Sequence, residues 1–219
     1  MCPDSKTAAF FDIDRTLVPG RTMERLFLPF LIRKRYCRAS DLARYLGYLA
    51  RNLGEMHGQL IHANKYHLKD KDARELERLA AECFQRKIRP LVSPAGRRAV
   101  EEHRRAGHLV VLVTGTLQPL AEQLRRELGA DLVLAARLAE DRGQLRGTLA
   151  NPRPYGPEKA RLVREVARRR GLDLQCCYAY GDHRSDVHLL ETVGNPRAVN
   201  PDPALRLAAR KRGWPILNF

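Results

Sequence analysis

Near the start of the chain a short apolar run stops at two carboxylates one residue apart. It reads Ala8-Ala9-Phe10-Phe11-Asp12-Ile13-Asp14, with a hydroxyl two residues further on at Thr16. An apolar run of this length fits a buried strand. Alternate residues of a strand face the same way, so Asp12 and Asp14 can converge where it ends. Two carboxylates that close repel, and the arrangement needs a cation, a shared proton or water between them. The chemistry it suits is a carboxylate nucleophile assisted by a metal, with the second carboxylate moving a proton. The bland reading is a solvated turn in which Thr16 caps a helix. The chemical reading requires further acids for the metal and a cation for an anionic substrate.

Those groups occur downstream, each after an apolar run or at a helix start. Leu109-Val110-Val111-Leu112-Val113 leads into Thr114-Gly115-Thr116, a hydroxyl with backbone N–H groups suited to a phosphate oxygen. Lys159 opens a helix after Tyr155-Gly156-Pro157-Glu158. Cys176-Cys177-Tyr178-Ala179-Tyr180 leads into Gly181-Asp182-His183-Arg184-Ser185-Asp186, with two more carboxylates. Taken singly, Thr114 could be a helix cap, Lys159 a surface lysine and Asp186 the capping acid of its helix. Their joint order, each at a strand end or a helix start, argues for a site, because parallel sheets bind ligands at the carboxyl ends of their strands.

The elements that must position these groups follow from periodicity and punctuation. From Thr22 to about Lys87 the chain reads as helix after helix. Thr22 is placed to cap the first helix, Pro29 is expected to kink or break it, and Asp70 or Asp72 could cap the stretch Ala73 to Phe84. Beyond Pro90 the pattern alternates. Helices are expected at 94–106, 117–128, 157–170, 185–193 and 204–212, strands at 109–113, 132–134, 176–180 and 197–200, and a hairpin at 138–149. Repeated strand-then-helix units predict a parallel sheet covered on both faces. The fold class is therefore α/β, a Rossmann-like parallel-sheet core of residues 1–18 and 89–219 with an inserted all-helical lobe at 19–88.

Bulk properties limit the rest. A chain of 219 residues buries a substantial core. No apolar run reaches the ~18 residues of a membrane span. The first residues read without a secretory signal, and a cytoplasmic protein is expected. Five cysteines with no CxxC pair fit neither a disulfide framework nor a zinc knuckle, and Cys176 and Cys177 are expected to be reduced and packed. The formal charge is +15. The arginines are spread along the expected helices beside glutamates, as on solvated helical faces, so nucleic acid is not the expected partner. His57, His62 and His67 are five apart, a step that turns a helix by about 140°, and are rejected as metal ligands.

The ordered set Asp12-Ile13-Asp14-Arg15-Thr16, Thr114, Lys159 and Gly181-Asp182-His183-Arg184-Ser185-Asp186 resembles the haloacid dehalogenase superfamily of phosphatases. The helical insertion directly after the first of these resembles the phosphoserine-phosphatase-like subfamily, whose cap lies there. The resemblance implies a phosphomonoester hydrolase acting on a small phosphorylated metabolite. It makes Asp12 the nucleophile that becomes aspartyl phosphate and Asp14 the general acid and base. Thr114 and Gly115 would bind the phosphoryl oxygens, and Lys159 would neutralise charge. Mg²⁺ would be held by Asp12, the Asp14 backbone carbonyl and Asp182, with Asp186 directly or through water. Two alternatives stand beside this reading: a phosphotransferase with the same intermediate, and a basic protein that binds nucleic acid or an acidic partner while its site is idle.

The sequence also departs from the resemblance. Arg15 replaces a residue that is small in many relatives, and is expected to point out of the turn or to grip an anionic substrate. The glutamate that phosphoserine-specific enzymes carry after the first motif is absent from Pro19-Gly20-Arg21-Thr22, and Glu24 is the nearest acid. His183 lies in the last of these motif loops, where it could reach the site, and a solvent-facing position is the expected one. Arg21, Glu24, Arg25, Tyr45 and Tyr48 are candidates to line the cap.

Overall fold

The computed structural model describes residues 6–51 and 65–219, so His57 and His62, and part of the expected cap, lie outside the described residues. In chain order the elements are β1 (Ala8–Phe11), α1 (Met23–Arg33), α2 (Ala39–Arg51), α3 (Ala73–Cys83), α4 (Pro94–Arg105), β2 (Leu109–Leu117), α5 (Gln118–Leu128) and β3 (Leu132–Ala136). Then come β4 (Leu138–Asp141), β5 (Gln144–Leu149), α6 (Pro157–Arg170), β6 (Tyr178–Gly181), α7 (Val187–Leu190), β7 (Asn195–Val199), α8 (Pro203–Arg212) and β8 (Ile216–Leu217).

Among the described residues, six parallel strands form one sheet in the order β3-β2-β1-β6-β7-β8, and β4 and β5 form an antiparallel hairpin. Strand alternation divides the core. Ala9 and Phe11 of β1 join Val110 and Leu112 on one face, with α4, α5 and the insert helices α1 and α3. Ala8 and Phe10 join Val111 and Val113 on the other, with α6, α7 and α8. Every residue of β1 is buried, so its run carries no polar position to break it. The insert is not an appendage with a separate core. Phe27, Leu31, Leu76 and Leu79 belong to the same apolar cluster as Leu120 and Leu124 of α5.

Short polar side chains start the helices. Thr22 accepts from Arg25 N–H, Asp72 from Glu75 N–H, Ser93 from Gly96 N–H and Asp202 from Leu205 N–H. Helix α6 stops at Gly171, whose φ of 65° is the left-handed cap expected there.

Several boundaries differ from the sequence reading. Helix α1 runs through Pro29, because Phe27 on one side of it and Phe30 and Leu31 on the other are buried and hold both turns against the core. Strand β2 extends through Thr114–Thr116 to Leu117. The helix expected at 185–193 is a 3₁₀ turn at Arg184–Asp186 followed by the single turn α7. Strand β8 was not expected, since two residues carry no period of their own. Cys177 is buried and free, as expected, but Cys176 is disulfide-bonded. An odd cysteine count excludes complete pairing, not one bridge. No helix of the described residues is long and apolar enough to cross a membrane.

Candidate active site

The chain builds the sheet outward from β1 to β2 and β3, then returns to lay β6 on the other side of β1. At such a reversal the loops after adjacent strands part and leave a crevice at their carboxyl ends. The acidic stretch after β1 and the acidic stretch after β6 face each other there.

After Phe11 the backbone stays tied to β6 through Asp12 N–H, which donates to the Tyr180 carbonyl at 2.9 Å. It then folds into a tight loop. Arg15 takes a φ of 64°, its N–H donates to the Val18 carbonyl, and the N–H groups of Leu17 and Val18 both reach the Ile13 carbonyl. This brings Thr16 back under the strand end, where its Oγ1 donates to Asp12 Oδ2 at 3.0 Å. Lys159, in the first turn of α6, donates from Nζ to Asp12 Oδ1 at 2.6 Å and to Asp186 Oδ1 at 2.7 Å. Helical side chains lean toward the N-terminus of their helix, which aims Lys159 into the crevice. The Asp12 carboxylate is thus held at both oxygens.

The loop after β6 supplies the other acids. His183 N–H donates to Asp186 Oδ2 at 3.2 Å, folding Asp186 back over the strand end. Gly181 makes that possible, since a Cβ there would lie 2.6 Å from Asp186 Cβ. The Asp182 carbonyl accepts from Asp202 N–H at 2.8 Å, which fixes the loop against the turn before α8. Asp12, Asp182 and Asp186 are buried, and each offers an oxygen within 4.8 Å of the others.

The third strand end is shaped by an irregularity. The β2–β3 register shifts between Val113 and Leu117, so Thr114–Thr116 leave the regular ladder, as bulges beside sites often do. Thr114 is fully buried and its Oγ1 accepts from Thr116 N–H at 3.1 Å. Thr116 Oγ1 donates to Asp14 Oδ2 at 2.6 Å, while Met23 N–H donates to Asp14 Oδ1 at 2.8 Å. The sequence reading placed phosphate contacts at Thr114 and Gly115 and gave Thr116 no contact of its own with Asp14. Only the pairing of β1 with β2 brings residues 14 and 116 together, and no local signal announces it.

The charges do not balance. Around Asp12, Asp182 and Asp186 the buried cation is Lys159, with half-exposed Arg15 at the rim. Burial pushes the Asp12 carboxyl up to about 7, against the pull of Lys159 and with the repulsion of Asp186 and Asp14. Burial, reinforced by Asp12 and Asp186, pushes Asp182 up to about 8. For Lys159 burial disfavours the ammonium, but Asp12 and Asp186 outweigh it and hold its proton more tightly than usual. Burial also raises Asp14, in spite of the hydrogen bonds from Thr116 and Met23. Clustered buried oxygens with an excess of negative charge are the donor set of a hard divalent cation such as Mg²⁺, so these residues fit the ion expected from the sequence.

Comparison with known proteins bears on the family. The model of the haloacid dehalogenase-like hydrolases matches residues 9–191. The chain belongs to this family. The hydrolase is 36% identical over 222 residues to the inhibition of morphological differentiation protein of Streptomyces azureus, covering 98% of this chain and 79% of that protein. It is 33% identical over 222 residues to phosphoserine phosphatase SerB1 of Mycobacterium tuberculosis, covering 99% and 72%. Among solved structures it is similar to a protein of unknown function from Bordetella pertussis Tohama I, with a TM-score of 0.82, 27% identity, and 97% and 98% of the two chains covered.

Residues that the sequence reading placed outside the core of the site take varied positions in this hydrolase. Arg15 does not point away: its Nε lies 3.1 Å from Asp182 Oδ2. With Asp182 it lines a cleft of about 370 Å³ that also touches Gly20, Asn200 and Asp202. His183 is half-buried rather than solvent-facing, bonded to Ser185 and 3.4 Å from Asp202. Glu24 pairs with Lys65 at 2.7 Å, Tyr45 meets the His67 ring edge-on, and Tyr48 stacks on Tyr66. Arg21 and Arg25 are exposed. Gly115 has its Cα face covered by the Arg153 guanidinium, whose Nε donates to the Gly115 carbonyl at 3.0 Å.

Proposed function

We propose that the chain is a Mg²⁺-dependent phosphomonoester hydrolase that acts on a small phosphorylated metabolite through an aspartyl phosphate on Asp12. The observation that carries this reading is the Asp12 carboxylate itself, held by Thr16 and Lys159 at the sheet's reversal point and faced by Asp182 and Asp186.

An Asp12 oxygen forms a bond to phosphorus while the bond from phosphorus to the leaving oxygen breaks. Asp14, whose burial favours the protonated form, gives its proton to that oxygen. It then takes a proton from a water that attacks the same phosphorus, which releases phosphate and restores Asp12. Lys159 and the Thr114 hydroxyl would offset charge on the transferred oxygens. Mg²⁺, held by Asp12, the Asp14 carbonyl, Asp182 and Asp186, would supply the positive charge that lets an anionic carboxylate approach an anionic phosphate. The helical insert at 19–88 would serve as a cap over a core of residues 1–18 and 89–219. The cap would choose the substrate, since the core groups address the phosphoryl group alone. The cytoplasm is the setting we infer.

The test is release of inorganic phosphate from an aryl phosphate and from a panel of phosphorylated metabolites, with and without Mg²⁺. We expect turnover that chelation abolishes, none for Asp12→Asn, and slow formation and slow hydrolysis of the phosphoenzyme for Asp14→Asn. Mg²⁺-dependent turnover that survives Asp12→Asn would refute the covalent route. Phosphate appearing on an added alcohol in preference to water would favour the phosphotransferase reading.

A further inference from the structure

The sequence scatters its arginines along the helices, and the topology gathers many of their ends. In a parallel sheet each crossover helix runs antiparallel to the strand it feeds, so it finishes at that strand's amino end. Helices α4, α5, α6 and α8 finish a few residues before β2, β3, β6 and β8. Their last turns are basic: Arg104 and Arg105 in α4, Arg125 and Arg126 in α5, Arg168 to Arg170 in α6, and Arg210 to Arg212 in α8. All these side chains are exposed except that of Arg125, which is half-buried. Lys6, exposed and bridged to Leu172, sits at the same edge.

Pairing does not cancel this charge. Glu101 is shared by Arg104 and Arg105, and Glu122 by Arg125 and Arg126. Arg169 pairs with Glu165 and Arg212 with Glu191. Arg168, Arg170, Arg210 and Lys211 have no acidic partner among the described residues. Of the other acids near this edge, Glu127 pairs with Arg89 and Arg97, Glu102 is exposed, and Asp131 and Asp173, also exposed, accept from the N–H groups of Val110 and Gln175. A helix dipole favours a cation at each carboxyl end. It does not call for three in succession on two helices of one face.

We propose that this amino-terminal edge of the sheet is a docking surface for the phosphate backbone of nucleic acid, on the side of the molecule opposite the acidic cleft. Six strands about 4.8 Å apart make the edge about 24 Å wide, enough to meet several successive phosphates. Arginine predominates, and its planar fork grips phosphate oxygens in pairs. A bilayer fits less well. Leu207 is the one large apolar side chain exposed on these four helices among the described residues, and the Trp214 ring is covered by Arg212 at 5.2 Å. The contacts offered here are charges for phosphates, so binding should be independent of sequence. The acids Asp12, Asp14, Asp182 and Asp186 at the other edge would repel the same polyanion, which fixes how it approaches.

The experiment is fluorescence anisotropy of a labelled DNA duplex titrated with the full chain over a range of salt. Its variant replaces Arg168, Arg170, Arg210 and Lys211 with Gln. A control replaces four other exposed cations (Arg33, Arg74, Arg98 and Arg142) with Gln, and so has the same net charge. We expect the edge variant to bind at least about tenfold more weakly. Its slope of log K against log salt should be shallower by up to about 3.6, at about 0.9 for each phosphate no longer neutralised. The control should keep most of the affinity, and aryl phosphate hydrolysis should be unchanged in both. The last readout reports folding and separates this proposal from the catalytic one, which can fail alone. Equal losses in edge variant and control, no binding by the wild type at low salt, or capture by phosphatidylserine vesicles but not by DNA would each overturn the proposal.

Discussion

Replacing Thr116 by Val tests how the site sets the proton affinity of Asp14. The buried hydroxyl donates to Oδ2 of half-buried Asp14 at 2.6 Å, and valine keeps its shape while removing the donor. A hydrogen bond to a charged group is worth about 1.5–3 kcal/mol. At about 1.4 kcal/mol per pKa unit, its loss should raise Asp14 by about 1 to 2 units, on top of the rise that burial already causes. The Met23 N–H remains on the other oxygen, so the side chain should keep its place. The assay is the pH dependence of kcat with an aryl phosphate, under conditions where a phosphate burst shows hydrolysis of the phosphoenzyme to be limiting. In the proposed mechanism that step needs Asp14 ionised, so the acid limb of the profile should move to higher pH by about 1 to 2 units while the plateau changes little. Thr116→Ser, which restores the donor, should bring the limb back. A valine variant with full plateau activity and an unmoved acid limb would refute the assignment of Asp14 as the base tuned by Thr116.

Three further outcomes are expected. Lys159→Gln leaves Asp12 and Asp186 facing each other without the cation between them, and should cost about 3–5 kcal/mol of stability in urea titration; Mg²⁺ should then raise the Tm of this variant more than that of the wild type, and equal shifts would argue against a shared cation site. Burial works to raise the Asp41 carboxyl, but hydrogen bonds from Lys71, Arg38 N–H and Arg44 outweigh it and hold it at about 2. A depressed folded pKa gives stability that is complete above about pH 4 and is lost as pH falls through about 2. Asp41→Asn should therefore be less stable at neutral pH by about 1–2 kcal/mol and converge on the wild type as the pH falls below about 2, and a gap that stays at its neutral size in acid would contradict this. Gly194→Ala places a Cβ 1.9 Å from the Gln175 carbonyl oxygen, a backbone atom that cannot rotate away, and should cost at least about 2 kcal/mol with loss of the β6–β7 approach; a variant as stable as the wild type would show that this turn yields freely.

How much of the fold was readable depends on how local each cause is. The Leu109–Val113 run, the Pro157 start and Gly171 stop of α6, and the caps at Thr22 and Asp72 act within a turn or two, so they stand in the chain itself. Pro29 misled because its local penalty is outweighed by burial of Phe27, Phe30 and Leu31 against distant residues. The two residues of β8 are too short for any period, and exist as a strand because β7 offers them an edge. Arg15 and His183 were left with two readings each for a related reason. Their local sequence says loop, but Asp182 and Asp202 wait nearby from other segments.

The sequence by itself determined the types and order of the candidate site groups: Asp12 and Asp14, then Thr114, Lys159, Asp182 and Asp186, spaced by alternating strands and helices. That order is covalent and survives any packing. Only the tertiary structure decided which groups touch. It put Lys159 between Asp12 and Asp186, gave Asp14 to Thr116 across two strands, and sent the arginines of four helices to the edge away from the cleft. These contacts join residues up to 147 positions apart. Burial is what gives them their strength, because it removes the water that would otherwise solvate each charge alone.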